Sequence, residues 1–192
     1  MTPYQEALLA LAVESESAAL ALWWQVDQLG DALFAAALAA ILATYTGRAA
    51  VLATTAFAAQ ASIATGQPVP AVPVLTDDTD RLAKAATTVL DVARASESPE
   101  DIIVRLARAE PLNTAARTFS EQISTSALTE GWTRQMDADP CQLCRWWWRE
   151  GRTWPKLHPF QTHVGCACVP RPVWANHIQS TEYTRQLERN QA

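Results

Sequence analysis

Cys141-Gln142-Leu143-Cys144 and His163-Val164-Gly165-Cys166-Ala167-Cys168 hold all four cysteines of the chain. No other feature constrains the fold so tightly. A C-x-x-C turn brings two thiolates within reach of one ion, and a second pair from H-x-x-C or C-x-C, 22 to 24 residues later, closes a tetrahedron. The spacing therefore predicts a structural zinc site made by Cys141, Cys144 and two of His163, Cys166 and Cys168, with the choice among the last three left open. Two disulfides or inert buried thiols are the alternative, and disulfides require an oxidising compartment. The N-terminus has no basic n-region, and Glu6, Glu14 and Glu16 interrupt its apolar residues, so no secretory signal is read and a reducing cytosol is expected.

A catalytic zinc needs an open position for water and a carboxylate base nearby. Here five donors compete for four positions. No H-E-x-x-H occurs, and Pro140-Cys141-Gln142-Leu143-Cys144 matches only the second half of the H-x-E…P-C-x-x-C deaminase pattern. Proteolysis through serine or cysteine needs a nucleophile, a base and an orienting group. All the histidines lie between His158 and His177, and no nucleophile-elbow glycine pattern is present. No catalytic residue is assigned. His158 reads as solvated or as a neighbour of a ligand, and His177 as a surface residue.

The rest of the chain reads as mainly α, a multi-helix Ala/Leu-rich body preceding the small Cys/His zinc-stapled module. With 49% hydrophobic residues in 192 and only 18% charged, it folds and buries a core. Thr2-Pro3 starts a first helix through Leu8, Leu11, Ala19, Leu22 and Val26. Gly30-Asp31 starts a second, through Phe34, Leu38 and Leu42, with possible continuation past Gly47 to about Ala64. The uncharged stretch 32–47 spans 16 residues, short of the roughly 20 that cross a bilayer, so a bundle helix and no membrane are expected. Prolines 68, 70 and 73 make residues 66–75 a linker or arm.

Asp77 and Asp78 then cap a helix with Leu82, Ala86, Val89 and Leu90 on one face. Ser98-Pro99 starts a short helix to Leu106, and another begins near Pro111 and stops at Gly131. No strand is expected before Trp132. The resulting divisions are 1–65, 66–75, 76–131, the clasp 132–175 and a tail 176–192. Small side chains and wide apolar faces on the early helices suggest binding to another protein or self-association.

The net charge of −5 excludes a generic polyanion binder, yet Arg134 to Trp174 carries six basic residues against three acidic ones. Six of the eight tryptophans lie in or beside that stretch. Trp146-Trp147-Trp148 with Arg145, Arg149 and Arg152 could stack on bases and pair phosphates, as single-strand binders do. The favoured reading is that a metal knuckle with little core borrows tryptophans to cover itself, since consecutive side chains cannot all face one ligand.

The arrangement Trp132…Asp139-Pro140-Cys141-x-x-Cys144…Arg149-Glu150-Gly151…His163-x-x-Cys166-x-Cys168-x-Pro170…Val173 resembles the terminal motif of the phage Mu F-like minor head proteins, closest to their actinobacteriophage branch. The match covers about 40 residues, and its triple tryptophan departs from the mainly aliphatic residues of the group. The resemblance implies a minor capsid protein acting in head morphogenesis, inside the head near the portal, with the host cytoplasm as its place during assembly. It implies the portal or major capsid protein as partner, with possible contact to packaged DNA and possible homo-oligomers. Members of that branch are often labelled capsid maturation proteases, which gives an enzymatic alternative. A zinc module binding nucleic acid is the other.

Overall fold

The computed structural model describes residues 1–73 and 77–175. Thr2 caps α1 (Pro3–Trp23) reciprocally with Gln5: its hydroxyl accepts from Gln5 N–H, and the Gln5 side-chain oxygen accepts from Thr2 N–H. A break at Trp24-Gln25 separates the single turn α2 (Val26–Leu29), so Val26 lies outside the first helix. α3 (Asp31–Thr65) runs unbroken through Gly47 and ends where Gly66 adopts φ +66°, the left-handed stop that glycine takes without strain. α4 (Thr79–Arg94) and α5 (Pro99–Thr125) complete the body.

The helices α1, α3 and α5 share two successive cores. In one, Trp23, Phe34, Leu38, Leu42 and Ile103 pack with Leu82 and Leu90 of α4. In the other, Tyr4, Leu8, Phe57, Leu112 and Phe119 pack with Trp132, Ala167 and Val169. The C-terminal sheet thus covers the half of the bundle that α4 does not reach. The proline arm leads from the end of α3, with Val69 packed against the second core and its N–H donated to the Ser62 hydroxyl.

α3 is, among the described residues, the one helix long and apolar enough to cross a membrane by length and composition, with a mean hydropathy of 1.5 over its window of 18 residues, 28% of them buried. The limit of 16 uncharged residues therefore does not describe the helix, because Arg48 falls within it. Arg48 reaches Glu14 of α1 at 2.7 Å. In this fold α3 packs against α1, α4 and α5. On its outer side two open cavities of about 640 and 740 Å³ share Ala7, Leu52 and Thr55, forming a groove between α1 and α3.

The helix break expected at Pro111 does not occur: α5 is continuous and Pro111 is buried inside it. Proline at this position cannot donate to the carbonyl four residues earlier, Ala107 O. Ser15 of α1 supplies the replacement, its hydroxyl donating to Ala107 O at 2.8 Å. A neighbouring helix thus satisfies the acceptor that proline leaves free.

Gly131 is not the stop, and strand structure begins before Trp132. α5 ends at Thr125, and β1 (Thr129–Gln135) is the centre of a three-stranded antiparallel sheet, flanked by β2 (Trp154–Pro155) and β3 (Val169–Trp174). The reason for glycine is close approach, since an added Cβ would run into the Trp154 carbonyl and the Thr153 methyl. Gly131→Ala is expected to prise β2 from β1 at a cost of about 1–3 kcal/mol, the usual range for overpacking, read as a lowered melting temperature. An unchanged melting curve would contradict this close packing.

Pro170 and Pro172 lie opposite Arg134 and Trp132 in β3, an edge strand. They have no N–H to give, so the ladder donors are the odd-numbered residues and the outer edge is poor in donors for another strand.

Candidate metal centre

The clasp consists of two excursions from the sheet. One leaves β1, carries Cys141 and the helix α6 (Gln142–Trp148), and returns through a 3₁₀ turn to β2. The other joins β2 to β3 and carries His163, Cys166 and Cys168. Cys141 is the N-cap of α6, which sets Cys144 one turn later on the inward face, buried beside Cys166 and Cys168.

The donor atoms form two overlapping groups, Cys141–Cys144–His163 and Cys144–Cys166–Cys168, each with all atoms within 4.8 Å of one another. Cys144 is the shared corner. His163 Nε2 lies 3.0 Å from Cys141 Sγ and 3.2 Å from Cys144 Sγ, and Cys144 Sγ lies 3.3 Å from Cys166 Sγ. The other ring nitrogen, Nδ1, is 3.2 Å from Val164 O. A carbonyl only accepts, so Nδ1 carries the proton and the Nε2 lone pair faces the sulfurs, the tautomer a metal ligand requires.

The sulfurs also receive backbone donors: Cys168 N–H to Cys166 Sγ at 3.3 Å and Asp137 N–H to Cys168 Sγ at 3.4 Å. Burial pushes the Cys144 thiol up to about 12. The Cys168 thiol is raised as well, first by its hydrogen bond with Cys166 and then by burial. Both shifts favour the neutral thiol at Cys144 and Cys168, and a metal cation placed among the sulfurs favours the thiolates instead.

Arg134 tests whether a cation fits. Its side chain is 3% exposed, with the guanidinium over the Phe160 ring at 4.1 Å and the Trp147 ring at 5.3 Å. It donates to Gln161 O and lies 3.9 Å from Cys144 Sγ, while Nε has no partner and no carboxylate pairs with it among the described residues. A buried guanidinium facing neutral thiols is uncompensated and costly. Three thiolates on a divalent ion carry one net negative charge, which would supply the missing counter-charge. These residues fit a metal ion such as zinc.

Gln5 fastens the clasp to the body. It is fully buried, and its Nε2 donates to Met136 O at 3.1 Å and Ala167 O at 3.2 Å, one carbonyl from each excursion. His158 is outside both donor groups and stacks on Trp154 at 4.2 Å, its carbonyl accepting from Trp132 Nε1. His177 lies outside the described residues. Sequence reasoning missed Arg134, Gln5 and Ser15 as positioning residues. The Thr2-x-x-Gln5 spacing was a readable capping-box signal, whereas nothing local marks Arg134 as buried.

No protein family, characterised protein or solved structure gives a match to this chain.

Proposed function

We propose that this chain is a structural minor protein of a tailed-phage head, a helical body whose C-terminal clasp is stapled by one zinc ion. The observation that carries the reading is convergence. The residues of the head-protein-like motif, separated by up to 27 positions between Cys141 and Cys168, meet around the Cys144 corner, and Gln5 ties that corner to α1. Zinc in this setting supplies cohesion: it joins two loops that bury little apolar surface of their own. Cys141, Cys144, His163 and Cys166 are the four ligands in this reading, because Cys166 is in direct contact with the shared Cys144. Cys168 remains a buried thiol beside them.

The role is structural rather than proteolytic. His163 Nε2 is shared between two sulfurs, which suits a ligand better than a general base serving one nucleophile. The partners in this reading are the portal or major capsid protein in the capsid interior, reached during assembly in the host cytoplasm. Co-expression with both proteins, followed by gradient sedimentation and intact-mass measurement, tests it. The chain is expected to travel with assembled particles and to leave the capsid protein uncut. A chain that stays free of particles, or specific capsid cleavage abolished by His163→Ala, would overturn the proposal.

A further inference from the structure

In the helical body Arg48, Arg81, Arg94, Arg108 and Arg117 each hold a carboxylate from another turn or helix. The arginines around α6 are placed differently. Arg145 gives its Nε–H to Pro140 O, Arg152 lies over the Trp154 ring at 4.4 Å, and Arg149 has no such contact among the described residues. None of the three is paired with a carboxylate among those residues.

Beside these guanidiniums the three consecutive tryptophans divide their work. Trp147 turns inward, packing against the cysteine cluster and lying 6.0 Å from the His163 ring. Trp146 and Trp148 are 60% and 37% exposed. With Arg145, Arg149, Met136 and Pro140 they line an open depression of about 500 Å³, in which Glu150 is the single acidic residue among the described ones. The chain then reverses through Arg149, Glu150 and Gly151 at φ +48°, +57° and +81°, with the Trp148 ring against Gly151. Two side-chain-bearing residues in the left-handed region are unusual.

Cover for the metal cluster needs only Trp147. Two outward indoles flanked by guanidiniums that hold no carboxylate among the described residues match a ligand that alternates flat rings with phosphates. We infer that Trp146, Trp148, Arg145 and Arg149 form a binding site for single-stranded nucleic acid, its bases stacked on the indoles and its phosphates on the guanidiniums. A duplex keeps its bases stacked on one another and offers the indoles no free face. The chain as a whole carries a charge of −5, and five arginines of the body, Arg48, Arg81, Arg94, Arg108 and Arg117, already hold carboxylates, which favours this face for a polyanion. The inference rests on the clasp being held closed by its metal, and not on assembly into a phage head.

The test uses the full chain with its zinc content measured alongside. Labelled oligothymidylate and oligouridylate of about 15 nucleotides, a hairpin duplex and a polyglutamate peptide are titrated by anisotropy, with indole fluorescence followed in parallel. Saturable binding of the single strands with indole quenching is expected, and much weaker binding of the duplex and the peptide. Trp146→Ala and Trp148→Ala each weaken single-strand binding about tenfold while the zinc content stays the same. Arg149→Gln weakens it and lowers the salt slope by about one. Absence of saturable binding, equal affinity for duplex or polyglutamate, or affinity untouched by both tryptophan variants would overturn the site. Such a result with zinc still bound leaves the clasp intact, whereas a metal-free protein counts against the clasp itself.

Discussion

Removing zinc with a strong chelator is expected to loosen residues 136–168 while α1, α3 and α5 stay folded. The cysteine cluster is a core of three buried side chains, backed only by Met136, Trp147 and Phe160. So small a core does not hold two loops by hydrophobic burial, and structural zinc contributes on the order of 10 kcal/mol to comparable small sites. The two larger cores by contrast are built mainly from α1, α3, α4 and α5, with Trp132, Ala167 and Val169 added to one of them, and neither includes the cysteines. Far-UV dichroism should therefore change little on chelation, while indole fluorescence changes and trypsin cuts rapidly after Arg145, Arg149 and Arg152. Cys144→Ser should reproduce the chelated state, since Cys144 belongs to both donor groups. Cys168→Ser should keep its metal. Lowering the pH weakens the site in the same direction, because protons compete for the thiolates. Unchanged tryptic resistance after verified metal removal would show that the clasp holds without an ion.

Phe119→Ala is expected to destabilise the body by about 3–5 kcal/mol, the range for deleting a fully buried aromatic side chain. Phe119 lies in α5 with its ring 5.4 Å from Tyr4 and 5.8 Å edge-on from Phe57, joining α1, α3 and α5 at the level where the sheet docks. No small neighbour can fill the space, since Ala53, Ala61 and Ala115 surround the same core. For a chain of this length the melting temperature should fall by on the order of 10 °C. Ile63→Ala, at 84% exposure, serves as the control and should shift stability by less than about 0.5 kcal/mol. Equal effects of the two substitutions would contradict the placement of the core.

What was legible in the sequence follows the range of the interactions involved. Helix starts at Pro3 and Pro99 and the stop at Gly66 are local signals and could be read directly. The cysteine pairs were equally readable, because ligand spacing is itself a local constraint. Pro111 misled because the residue that rescues its helix, Ser15, is 92 positions away from Ala107 and belongs to another helix. Gly131 misled for a related reason: its steric partner is the Trp154 backbone, across a strand pair that no short-range pattern announced. The sheet was hidden because β3 carries prolines at alternate positions and β2 is two residues long, so neither shows the alternation of a solvated strand. Arg134 was counted among the basic residues of the stretch 134–174, and no local pattern marks it as the buried guanidinium beside Cys144.

Zinc-edge X-ray absorption on protein purified under reducing conditions, with the metal-to-protein ratio, reads the ligand set of the clasp. Close to one zinc per chain is expected, in a four-coordinate shell of three sulfurs at about 2.3 Å and one nitrogen at about 2.0 Å. A metal-free protein whose intact mass shows two disulfides would contradict it.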